Sequence, residues 1–230
     1  MDADFLKSSA ITKKILTVSY CETVTAPAVK EFVFDRELGG KRHAVTLKIE
    51  VKPLGRGEGR KVSLAREFVN QVQDKHLQEF VSQGLEDGIS TGVLARYPMT
   101  DIEATCLSAT LEEAEISDEV AFRSAAMMGF REVAESAAPE FLEPIMKLEI
   151  TVPPESVGEV LGDLNSRRGS VVNMDMRADM QIVNARVPMA EMFGYATAIR
   201  SLTKGRASYS MEPDMFEIAP KFVREDILSR

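Results

Sequence analysis

The sequence predicts an α+β protein built as two successive units, the second a split βαβ, ferredoxin-like unit. Three observations carry this. Val45, Leu47, Ile49 and Val51 alternate with Thr46, Lys48 and Glu50, the period-two pattern of a strand with one dry face. Leu77, Phe80, Val81, Leu85 and Ile89 recur at the spacing of an amphipathic helix. In the second half, apolar helical segments at 156–168 and 191–204 sit among four short alternating runs, giving the order β-α-β-β-α-β.

In chain order, 15–20 reads as a strand, and Ala26-Pro27 breaks it before a second strand at 29–34. Residues 37–43, with paired Gly39 and Gly40, form a turn, since glycine reaches backbone angles other residues avoid. The strand at 45–51 follows, then Pro53 and the glycine-rich loop 55–59. A strand at 62–68 is expected to close a hairpin with it. Residues 74–90 are a helix, in which Gly84 and Gly88 imply close packing against the sheet. A strand at 99–107 leads into an acidic loop. Ser117 or Asp118 then caps a helix whose stripe is Phe122, Ala126, Phe130, Val133 and Ala137.

Phe141-Leu142-Glu143-Pro144 is the expected linker, dividing the chain into 1–140 and 141–230. Beyond it, Met146, Leu148, Ile150 and Val152 alternate as a strand. Val157, Val160, Leu161 and Leu164 stripe the first helix, and 171–176 pairs with 181–187 as a hairpin. Met192, Phe193, Ala196 and Ile199 stripe the second helix. The last strand is 207–212, and 221–230 adds a short terminal helix. Met174, Met176, Met180, Met189 and Met192 read as core filler.

The 230 residues suffice for two modest domains, and 44% hydrophobic with 28% charged residues is ordinary for a globular protein. No run approaches the roughly 20 apolar residues of a membrane span. Asp2, Asp4 and three nearby lysines without a separate apolar block argue against a signal peptide. Cys21 and Cys106 lack metal spacing and suit a reducing, cytoplasmic compartment. The net charge of −8 argues against indiscriminate coating of nucleic acid, but distribution matters more than the sum. Between Arg36 and Arg66, nine basic and three acidic residues make a local +6, the one stretch suited to RNA. Between Ser108 and Glu119 there are five carboxylates and no cation.

The loop 55–59 tempts a phosphate-loop reading, but Lys61 is followed by Val62 and a continuing strand instead of Ser/Thr opening a helix. With no Walker motif the chain is expected to be non-catalytic. His43 and His76 are not spaced as a zinc pair, and no nucleophile has a base at hand. His43, beside Lys41 and Arg42, reads as a solvated loop histidine. Arg167-Arg168-Gly169 has two readings: cations offsetting a helix dipole with a glycine cap, or phosphate contacts; spacing favours the cap.

Seven segments, in order, resemble the C-terminal part of bacterial-type elongation factor G: YCETVTAP, PLGRGEG, YPMTDIEA, AFRSAAMMGFREV, FLEPIMKLEITVP, GDLNSRRG and VPMAEMFGYATAIRSLTKGRASYSM. The resemblance runs from about residue 17 to 220. It implies an S5-like domain IV up to about Pro139 and a ferredoxin-like domain V from about Phe141. It further implies a cytoplasmic, monomeric translation factor part that engages the ribosome in tRNA–mRNA translocation. Domain IV would reach the small-subunit decoding region, and domain V large-subunit RNA near the GTPase centre. GTP and magnesium belong, by that resemblance, to GTPase domains outside this chain, leaving no cofactor here. The implied ribosome contacts are Gly39, Gly40, Lys41, Arg42, His43, Arg167 and Arg168.

Two departures fall at the domain IV tip. The family has a longer glycine-rich loop with an aromatic residue where Gly39-Gly40 runs straight into Lys41-Arg42-His43. Its second tip loop carries a histidine where 109–116 has Glu112, Glu113 and Glu115. The alternative reading is a stand-alone RNA- or protein-binding adaptor derived from the factor, without translocase activity. A phosphotransferase on the same fold would rest on the 55–59 loop alone.

Overall fold

The computed structural model describes residues 18–38, 41–111 and 119–229. Among these, two sheets organise the chain. The first comprises β2 (Ala28–Leu38), β3 (Lys41–Pro53), β4 (Arg60–Leu64) and β5 (Ile102–Leu111), in the spatial order β2-β3-β5-β4. Helices α1 (Arg66–Gln71), α2 (Lys75–Thr91) and α3 (Glu119–Ser136) accompany it. The alternation in β3 does what its period requires: Val45, Leu47, Ile49 and Val51 enter one core with Ile89, Phe122 and Phe130.

Two expectations fail here for one reason. The strand expected at 62–68 ends at Leu64, and Phe68 is the buried residue of α1. Nor does it pair with β3, because β5 occupies that edge, with Val51 opposite Ala104. β4 instead pairs with β5 in parallel, Val62 opposite Ala104. A parallel pair needs a long crossover, and α1 and α2 supply it. Gly84 and Gly88 also face α3 and not the sheet. A Cβ on Gly84 would lie 2.8 Å from the Ala126 Cβ, and one on Gly88 2.5 Å from the Phe130 ring.

The second sheet comprises β1 (Cys21–Val24), β6 (Pro139–Val152), β7 (Ser170–Arg177), β8 (Met180–Pro188) and β9 (Ser208–Ile218). β6 is central, with β9 on one side and β8 then β7 on the other. With α4 (Val157–Ser166) and α5 (Tyr195–Leu202), this is the expected β-α-β-β-α-β unit. Its core joins Leu148, Ile150 and Val152 to Val160, Leu164, Tyr195 and Ile199. The second helix is shorter than the 191–204 expected, because Gly194 at φ 76° separates α5 from a 3-10 turn over Met189–Met192. Met192 is buried, but Met174 and Met176 are 42% and 67% exposed, correcting their reading as core. They lie on β7, the edge strand beyond the reach of the helices.

The halves meet without a linker. Residues 141–144 lie inside β6, where Leu142 pairs with Cys21 of β1 on one side and Ile218 of β9 on the other. The first strand is therefore 21–24 and belongs to the second sheet; residues 15–17 of the expected strand fall outside the described residues, and 18–20 are irregular. Terminal α6 (Lys221–Leu228) packs Val223 and Ile227 with Tyr20 and Phe141 in a third core. The Tyr97 ring stands 5.8 Å from Tyr20 and 6.2 Å from Phe141. Glu22, fully buried on β1, accepts hydrogen bonds from the backbone N–H groups of Val93, Leu94, Ala95 and Tyr97 at 2.6–3.1 Å. One carboxylate so ties the loop after α2 to a strand of the other sheet.

Candidate nucleic-acid interface

The hairpin between β2 and β3 closes with Leu38 opposite Lys41. Gly39 and Gly40, and the acidic residues 112–118, lie outside the described residues. Pairing of Val45 with Leu111 brings the end of β5 toward that same end of the sheet. Arg42 is exposed but committed: its Nε and Nη2 donate to the two oxygens of Asp35 at 2.9 and 2.6 Å. That bidentate bond holds the Asp35 carboxyl below its ordinary range. His43 is no loop residue. It sits within β3 opposite Arg36 and is 4% exposed, so the solvated reading is corrected. Strand alternation explains this, since His43 shares the inward face of Val45 and Leu47.

The +6 segment makes a weaker patch in three dimensions than along the chain. Lys48 faces Glu31, Arg42 faces Asp35, Arg56 faces Asp101 and Lys61 faces Glu103, and all four carboxylates come from outside the segment. Neighbouring strands bring in charge that a linear count leaves out. The glycine-rich loop is likewise spoken for. The Gly57 and Gly59 N–H groups donate to the Asp101 Oδ1 at 3.0 and 3.1 Å, and the Asp101 side chain is 3% exposed. An internal carboxylate takes the place a phosphate would fill.

Arg167 and Arg168 end α4 in an arrangement sequence reasoning assigned to the wrong residue. Gly169 N–H donates to the Leu164 carbonyl at 2.8 Å and Arg168 N–H to the Asn165 carbonyl at 3.1 Å, the paired bonds of a Schellman motif. The left-handed residue is Arg168, at φ 58°, and not Gly169. Its side chain offsets this strain. Nη1 and Nη2 grip Glu143 at 2.8 Å each, Nε reaches Glu191 at 2.9 Å, and the guanidinium lies 5.3 Å from the Phe222 ring centre. These carboxylates push its pKa further up. Arg167 donates to Asp163 and to the Glu191 carbonyl and lies over the Tyr195 ring. The structure therefore brings Arg167 and Arg168 together with Glu191, and keeps them apart from Arg42 and His43.

Comparison with known families decides the kinship. The family model "Elongation factor G, domain IV" matches residues 16–138, and "Elongation factor G C-terminus" matches 140–227. The chain belongs to the elongation factor G family. It carries the domain IV and C-terminal portions of such a factor, both of the α+β type. A crystal structure of a Thermus thermophilus protein superposes with a TM-score of 0.82 at 28% identity, over 93% of this chain and 31% of that one. This chain thus spans about a third of that relative.

Two residues of this elongation factor G portion escaped sequence reasoning. Glu22 and Asp101 organise loops 71–75 and 42–44 residues away, and only a long-range fold could reveal them. Among the described residues, no group of three or more His, Cys, Asp or Glu side chains could hold a metal ion, and no helix is long and apolar enough to cross a membrane.

Proposed function

We propose that the chain is the ribosome-engaging end of an elongation-factor-G-type translation factor, acting in tRNA–mRNA translocation in the cytoplasm. GTP hydrolysis, with its magnesium, is supplied by domains outside this chain, and the chain itself does no catalysis. It works as a monomer, with the β2–β3 hairpin toward the decoding region and the C-terminal portion toward large-subunit RNA. The observation that carries this reading is the ordered match to both family portions across 16–227. The clasp of Glu22 on residues 93–97 supports it physically, because a lever reaching a distant site needs a stiff joint.

Glu112, Glu113 and Glu115 would repel phosphate, so this tip engages the decoding centre more weakly than a basic one. Co-sedimentation with ribosomes tests the reading. Binding at low salt should fall steeply as salt rises, because phosphate contacts release counterions. Absence from the ribosome pellet at low salt would overturn it. Normal translocation by a full-length factor given this tip would sink the weak-tip idea.

The internal pairing of the 36–66 cations favours the adaptor as second reading. Displacement from ribosomes by full-length elongation factor G would count against it.

A further inference from the structure

Between Glu191 and Glu212 the chain has no acidic residue, although the whole protein carries −8. This stretch holds Arg200, Lys204 and Arg206, and folds as α5, the turn after it and the start of β9. In the same half, Lys147, Arg167, Arg168, Arg186, Arg206 and Arg224 each meet a carboxylate. Arg200 and Lys204 are exposed, one helical turn apart, and have no ion-pair partner among the described residues. Arg206 meets only the half-exposed Glu155.

Lys204 is the more telling of the two. It occupies the left-handed position of a second Schellman motif, at φ 52°, with Gly205 N–H donating to the Arg200 carbonyl at 2.8 Å. Arg168 holds the equivalent position on α4 and offsets its strain with two carboxylates. Lys204 has no such compensation inside the fold. Toward the other end of α5, Phe193 and Tyr209 are 43% and 38% exposed, and Tyr209 is held edge-on at 5.1 Å to Tyr195, the first residue of that helix. Thr197, Ser201 and Ser208 add exposed hydroxyls. Two cations without ion-pair partners, exposed hydroxyls and an anchored aromatic ring, with the nearby Glu155 engaged by Arg206, match the chemistry of RNA phosphates and unstacked bases.

We propose that this α5–β9 surface, and not Arg167 with Arg168, is the RNA-contacting face of the C-terminal portion. The proposal rests on the ribosome reading above and specifies its contact residues. Arg200→Ala with Lys204→Gly removes both free cations, and glycine suits the left-handed backbone, so the variant should fold. Arg177→Ala with Lys221→Ala removes equal charge from exposed positions elsewhere and serves as control.

Binding would be measured against intact ribosomes and against protein-free large-subunit RNA, over a salt series. The first variant should lose roughly tenfold in affinity at low salt, and its log–log salt slope should shrink by about two, while the control stays near wild type. Wild-type binding to ribosomes with no effect of the first variant overturns this inference and leaves the ribosome reading standing. Loss of ribosome binding with unchanged binding to naked RNA overturns it in favour of a ribosomal-protein contact. If wild type ignores ribosomes but binds naked RNA through Arg200 and Lys204, the inference stands and the ribosome reading falls. Binding to neither ends both.

Discussion

Arg168 and Glu143 form a two-bond clamp, each guanidinium Nη 2.8 Å from one carboxylate oxygen, across 25 residues of sequence. The Glu143 side chain is 5% exposed and that of Arg168 24%. The clamp lies where α4 ends against β6, so it holds the helix to the central strand of the second sheet.

Removing one partner should leave the other charge buried and uncompensated. Arg168→Ala should cost about 3–5 kcal/mol, read as a lower denaturation midpoint. Glu143→Leu in the same chain should restore much of that, and a double-mutant cycle measures the coupling. Arg168→Gly relieves the left-handed backbone yet should remain destabilised, because the clamp outweighs the strain.

Glu22→Ala should loosen the joint between the two sheets. Four backbone donors lose a buried acceptor, at a cost of at least about 3 kcal/mol. Amide exchange at Val93, Leu94, Ala95 and Tyr97 should accelerate more than exchange in the β3 core. Unchanged protection there would refute the clasp.

Two glycine-to-alanine changes should have opposite signs. Gly162 has open space where a Cβ would go, so Gly162→Ala should stabilise α4 by about 0.5–1 kcal/mol through helix propensity. Gly84→Ala should destabilise by about 1–3 kcal/mol, since its Cβ would press on Ala126 and α3. Thermal melts of both variants check the pair.

Burial pushes the Cys106 thiol up to about 12, and burial with the nearby Asp101 and Glu22 raises that of Cys21. In the folded protein at pH 8, Cys106 should not react with a thiol reagent, and Cys21 should react slowly. A raised acid pKa stabilises fully below the unfolded value of about 8.5 and is lost as pH climbs toward the folded one. Stability should therefore decline from about pH 8.5 toward 12. Cys106→Ala should decline less over that window in denaturant titrations.

By itself, the sequence determined the local periods and the family wording. Val45–Val51 had to be a strand, residues 74–90 a helix, and the second half a β-α-β-β-α-β unit, because side-chain spacing alone sets which face is dry. Only the tertiary structure decided partners, because pairing is a property of distant segments. It put β5 between β3 and β4, carried β6 through the expected linker, and sent β1 into the second sheet. The same reason governs charge. The +6 stretch lost much of its excess to carboxylates from neighbouring strands, and Arg167 and Arg168 were drawn into internal clamps. Lys204, written almost identically at the end of its own helix, was left facing solvent.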